Sequence, residues 1–129
     1  MQGAKRLALF FTLAATAHAA PPESFWRALH LVETSGRQGP ILGDNGRSLG
    51  PLQISRAYFT DSRVGGTYEQ VVDLGFARRV VSAYLKRYAP QAWAAGDVVT
   101  LARIHNGGPA GARTAATVNS GEMVQRLCK

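Results

Sequence analysis

Residues 23–54, ESFWRALHLVETSGRQGPILGDNGRSLGPLQI, change character halfway along, and that change decides the fold. Phe25, Ala28, Leu29 and Val32 recur at helical spacing. Ahead of them, Pro21-Pro22-Glu23-Ser24 puts acidic and capping residues at the positive end of a helix. The pattern predicts a helix that buries one face and ends at Glu33 or Thr34. Beyond it, Gly36, Gly39, Pro40, Gly43, Gly46 and Gly50 exclude further helix, and Asp44-Asn45-Gly46 is a hairpin turn signal. This half is predicted as a loop with a small hairpin, residues 41–42 against residues 47–49.

The helical signal resumes outward from this unit. Pro51 suits the first turn of a second helix over residues 51–59, and 61–67 is a loop. Residues 68–88 carry the longest helical pattern, Val72, Phe76, Val80, Ala83, Tyr84 and Tyr88, interrupted only by Gly75. Pro90 ends it. Asp97 caps a short helix to Ile104, NGGPAG (residues 106–111) breaks it, and a last helix spans 118–127. The result is one α+β domain, mostly α.

Composition narrows the class. The 129 residues are 46% hydrophobic with 14 Gly and 6 Pro, which suits a folded domain rather than a disordered or collagenous chain. A single cysteine, Cys128, excludes an intramolecular disulfide framework and any cysteine-rich zinc module. A net charge of +7 points to anionic partners but names none: nucleic acid, acidic lipid and bacterial cell wall all qualify. The start of the chain predicts a secretory signal peptide over residues 1–19. Lys5 and Arg6 precede the apolar run LALFFTLAATA (residues 7–17), and Ala17-His18-Ala19 is a small-x-small cleavage site. The run is shorter than the roughly 20 residues of a membrane span. Residues 20–129 are then the mature domain, secreted or periplasmic.

Few residues carry chemistry. Glu33 follows Val32 at a helix end, where its carboxyl can be desolvated and held protonated as a proton donor; the competing reading is a solvated helix-end acid. Asp44 lies in the hairpin turn, which also has a purely structural use for aspartate. Together they form the two-carboxylate arrangement of glycoside hydrolysis. His105 precedes a glycine-rich turn after a helix, and the helix dipole is its structural explanation. His30 shares the Glu33 face but has no second histidine at ligand spacing, so no metal and no cofactor are expected. Tyr58, Phe59, Tyr84, Tyr88 and Trp93 are core by default, although aromatic rings also line sugar sites. No phosphate-binding glycine loop or dinucleotide fingerprint occurs, and the basic residues form no compact nucleic-acid motif.

In series, LHLVETSG (29–36), GDNGRSLGPLQI (43–54), Ala57-Tyr58-Phe59, AYLKRYA (83–89) and ARIHNGGPAG (102–111) resemble the invertebrate-type lysozymes, the destabilase family, over nearly all of the mature chain. GPLQI and RIHNGGP are the specific blocks. The resemblance implies a lysozyme-like fold with a small β-hairpin beside the catalytic cleft. It implies cleavage of the β-1,4 bond between N-acetylmuramic acid and N-acetylglucosamine in peptidoglycan; separately, a monomer is expected. The resemblance places the proton donor at Glu33 and the nucleophile or stabiliser at Asp44. Substrate contacts are carried to Gln53, Ser55, Arg56, Ala57, Tyr58, Phe59, Thr60, Asp61, Tyr84, His105, Asn106, Gly107 and Arg113. A lysozyme-inhibitor or immunity protein is a candidate partner. Animal members are dense in disulfides, so a chain with one cysteine is expected to be a bacterial-type relative that relies on core packing. The glutamate-serine and Gly-x-x-Gln elements also resemble lytic transglycosylases, which use a single glutamate. An isopeptidase and a non-catalytic wall-binding protein are the remaining alternatives.

Overall fold

The computed structural model describes residues 20–129, together with Gly3 and Ala8. The rest of the expected signal peptide, residues 1–19, lies outside the described residues. Among the described residues, no helix is long and apolar enough to cross a membrane.

Helix α1 (Glu23–Thr34) forms where the spacing predicts it, with Phe25, Trp26, Ala28 and Leu29 buried. It stops because Ser35 turns left-handed (φ 56°), which lets the Ser35 and Gly36 N–H groups close on Leu31 and His30 oxygens. The expected hairpin is the first part of a three-stranded antiparallel sheet: β1 (Leu42–Gly43), β2 (Ser48–Leu49) and β3 (Ile54–Ser55). Leu42 pairs with Leu49, and Leu49 with Ile54.

β3 corrects the expectation of a helix over residues 51–59. Pro51 is fully buried in a turn, where Gly50 (φ 85°) lies so close to the Val71 carbonyl that no Cβ would fit. Tertiary packing thus overrides the local preference of Pro51 for a helix start. Helix α2 (Arg56–Ser62) begins five residues later than expected, when the Ser55 hydroxyl accepts the Tyr58 N–H at 3.2 Å.

The long helix over 68–88 is also divided. Residues Tyr68–Val72 make a 3₁₀ turn closed by the Thr67–Gln70 capping box. Asp73 is extended, and its carboxylate accepts the Phe76 N–H at 2.8 Å to start α3 (Leu74–Tyr88). Pro90 opens a further short helix, α4 (Pro90–Ala95), at the position where its missing N–H costs nothing. Asp97 caps α5 (Val98–Gly107) as the sequence indicates, but the helix runs three residues past the expected end at Ile104 into the glycine-rich run; α6 (Val118–Leu127) follows. Helices α1, α5 and α6 pack together, and α2 lies on α3. Between them Phe25, Leu29, Leu52, Val80, Leu85, Leu101 and Val124 form a core with essentially no solvent exposure. The sheet sits beside the end of α1, so the hairpin faces Glu33 across a cleft.

Candidate active site

A cleft of about 400 Å³ opens between the C-terminal end of α1, the sheet, α2, α3 and the end of α5. Glu33 forms one wall, with its side chain only 19% exposed. Burial, and secondarily the negative charge of Asp44, push its pKa up to about 7. A protonated carboxyl is therefore well populated at neutral pH.

The backbone of the Gly50–Ile54 segment holds this wall in place. Thr34, next to Glu33 and buried, donates its hydroxyl to the Pro51 carbonyl at 2.9 Å. His105 Nε2 lies 3.1 Å from the Leu52 carbonyl, and Nδ1 lies 2.9 Å from the Tyr58 hydroxyl. A carbonyl only accepts, so Nε2 carries the proton, and Tyr58 donates to Nδ1. Burial pushes the His105 pKa down to about 4, which keeps the ring neutral. The 3.5 Å approach of Nε2 to Glu33 Oε1 is consequently a neutral contact rather than an ion pair. Tyr58 stacks on Tyr84 with ring centroids 3.7 Å apart and planes 12° apart. Burial pushes the phenol of Tyr58 well above the usual range and that of Tyr84 up to about 12, so both stay protonated donors.

The opposite wall is built by the turn. Asp44 (φ 50°) and Asn45 (φ 57°) are both left-handed, a conformation that these two residue types tolerate better than most. Arg47 Nε donates to the Asp44 carbonyl at 3.0 Å, and the Ser48 hydroxyl donates to Asp44 Oδ2 at 2.8 Å. The carboxylate is thus exposed to the cleft and tied at one oxygen.

No protein-family model matches the chain. Lysozyme 1 of Crassostrea virginica is 37% identical over 83 residues, covering 63% of this chain and 45% of that protein. The lysozyme of Meretrix lusoria is 33% identical over 82 residues, covering 62% of this chain and 67% of that protein. Among solved structures, the Tapes japonica lysozyme superposes with a TM-score of 0.71 at 29% identity, over 86% of this chain and 98% of that one. The chain belongs to the invertebrate-type lysozymes. A further structural neighbour is the Meretrix lusoria lysozyme in complex with PliI of Aeromonas hydrophila, at a TM-score of 0.70 and 27% identity, over 83% of this chain and 90% of that one. The chain spans about half the length of the Crassostrea protein.

Within this lysozyme fold the cleft gathers Glu33, Asp44, Gln53, Ser55, Ala57, Tyr58, Asp61, Tyr84, His105 and Asn106 of the residues singled out in the sequence. Gln53 is also a brace, since its Nε2 donates to the Ile41 and Gly50 carbonyls at 3.1 and 3.0 Å. The other five lie outside the lining. Arg56 turns away to stack over Tyr68 and reach Glu69. Phe59 packs on Tyr68 and Phe76, and Thr60 is exposed on α2. Gly107 abuts Thr117, and Arg113 is exposed on the turn Gly111–Arg113. Arg47, Ser48 and Gly108 line the cleft and escaped the sequence reading. A serine four residues after a turn aspartate, at hairpin spacing, was the available signal for Ser48.

Proposed function

We propose that the protein is a peptidoglycan hydrolase, a muramidase that cleaves the β-1,4 bond between N-acetylmuramic acid and N-acetylglucosamine. The observation that carries this reading is the contrast within the cleft. Glu33 is desolvated to a pKa of about 7, and Asp44 faces solvent with one oxygen held by Ser48. Glu33 donates its proton to the leaving glycosidic oxygen. Asp44 attacks or stabilises the oxocarbenium-like sugar, and the Glu33 carboxylate then activates water. The stacked Tyr58–Tyr84 pair and Asn106 supply ring surface and hydrogen-bonding groups along the sugar path. The protein acts as a monomer, secreted or periplasmic once residues 1–19 are removed. A protein inhibitor is a proposed partner, on the precedent of PliI with the Meretrix lysozyme.

Mass spectrometry of digested peptidoglycan tests this. Reducing muramic ends with one added water per cut are expected. Anhydromuramic ends would replace hydrolysis by transglycosylation, with Glu33 acting alone.

A further inference from the structure

Helix α3 presents a basic face on its side away from the cleft. At 3.6 residues per turn, Arg78, Arg79, Ser82 and Lys86 fall on the side of α3 away from Tyr84, which faces the cleft. That far side borders a groove of about 900 Å³, larger than the cleft, with Trp26 and Trp93 in its wall. The two indoles meet edge to face, centroids 6.4 Å apart. Cations are laid over them: the Arg78 guanidinium 4.8 Å from the Trp26 ring and Lys86 Nζ 5.1 Å from the Trp93 ring. Arg78 is also paired with Glu23 through bonds of 2.6 and 3.1 Å, which offsets its charge. Among the described residues, Arg79 and Lys86 have no carboxylate within ion-pair distance. The groove therefore presents uncompensated positive charge, partly immobilised on aromatic rings.

We propose that this groove is a second carbohydrate site, which holds an anionic wall glycan by its pendant carboxylates while the cleft cuts elsewhere; the choice of occupant rests on the peptidoglycan reading above. Charge complementarity selects an acidic polymer. The lining selects a glycan over an acidic polypeptide. Arg79 and Lys86 serve the carboxylates of either polymer, and an acidic polypeptide such as poly-glutamate brings no ring face to the indole wall. Sugar rings instead offer apolar C–H faces to Trp93, beside low walls at Gly75 and Ala83.

The test is retention of the inactive E33Q protein on insoluble peptidoglycan sacculi at low salt. Adding R79E/K86E should weaken retention about tenfold, against about twofold for R126E/K129E, which makes the same change in net charge at the end of the chain. Arg79 and Lys86 are exposed, and R79Q/K86Q, with no reversed charge, should move retention the same way. Amidating the stem carboxylates of the sacculi should abolish the difference between E33Q and its R79E/K86E derivative. The proposal is overturned if E33Q is not retained, if the groove and control variants lose retention equally, or if poly-glutamate binds more tightly than sacculi. Fragment release by the unmodified enzyme is scored separately. Groove-dependent retention without any release would sink the hydrolase reading and leave the groove standing.

Discussion

The two walls of the cleft prepare their carboxylates in opposite ways. Glu33 ends a regular helix whose neighbour Thr34 is bonded to the Pro51 carbonyl, and its acidity is set by burial. Asp44 sits in an exposed turn of left-handed residues and is set by orientation, through short-range bonds from Arg47 and Ser48. A proton donor needs desolvation to keep its proton at neutral pH, whereas a group that meets positive charge needs to stay ionised and aimed. Environment, with the same functional group on both sides, divides the proposed roles.

The largest effect should come from the buried wall. Glu33→Gln keeps the shape and cannot donate a proton, so activity should fall about three orders of magnitude or more, about 4 kcal/mol of barrier. Retention of a tenth of the activity would remove Glu33 from the mechanism. The same substitution should stabilise the fold at high pH. The Glu33 pKa is raised on folding from 4.5 to about 7, so the folded state binds more protons across that window, and stability falls as pH rises through it. Glu33→Gln should remove this penalty, worth up to about 3 kcal/mol above pH 7 and nothing below pH 4.5. His105 has the opposite sign. Its pKa is lowered from 6.5 to about 4, so its share of stability is lost as pH falls from 6.5 to 4. Denaturation across pH should thus show wild-type stability nearly level between 4.5 and 6.5, and Glu33→Gln stability rising with pH there.

On the exposed wall, Asp44→Asn should cut turnover about 100-fold and leave glycan binding intact, since the loss is confined to the transition state. Asparagine keeps both the left-handed turn and an acceptor for Ser48. A near-silent Asp44→Asn protein that releases anhydromuropeptides would reduce Asp44 to a turn residue. The wild-type pH profile is the next smaller effect. Activity should fall about tenfold per unit above pH 7 as Glu33 loses its proton. Because the Asp44 charge raises the Glu33 pKa, residual activity in Asp44→Asn should begin its decline at lower pH. An unshifted decline would show that the two walls do not sense each other.

How much of this was legible follows from what each wall is made of. The buried wall comes from α1, whose periodicity and acidic start are local, so its extent and the position of Glu33 could be read directly. Its desolvation stood only as one of two readings, because that environment comes from across the chain, with the Leu52 and His105 segments packed beside it. The sheet wall was half legible. Asp44-Asn45-Gly46 announces a turn, yet two-residue strands such as Ile54–Ser55 have no measurable period. Pro51 followed a local helix rule that burial against other segments overrode. The break at Asp73 was hidden for a related reason: the apolar spacing of Val72, Phe76 and Val80 runs through it, and only the capping bond reveals it.

The smallest effect asks whether the sheet wall depends on its brace. Gln53 is itself left-handed (φ 52°), and its amide ties the Ile41 and Gly50 carbonyls across the base of the hairpin. Its carbonyl end packs where a Cβ on Gly43 would stand, so the side chain fixes the strand that leads into Asp44. Gln53→Ala releases two part-buried carbonyls that water can reach, a cost of about 1 kcal/mol in stability. The Asp44 turn should then sample more orientations, and turnover should fall about tenfold, since small misplacements of a catalytic group are expensive. Burial is the larger cause of the raised Glu33 pKa and the Asp44 charge the smaller, so the decline above pH 7 should move little. A pH profile of Gln53→Ala that moves with the loss of turnover would mean that the hairpin also sets the acid, and the division between a buried wall and an aimed wall would fail.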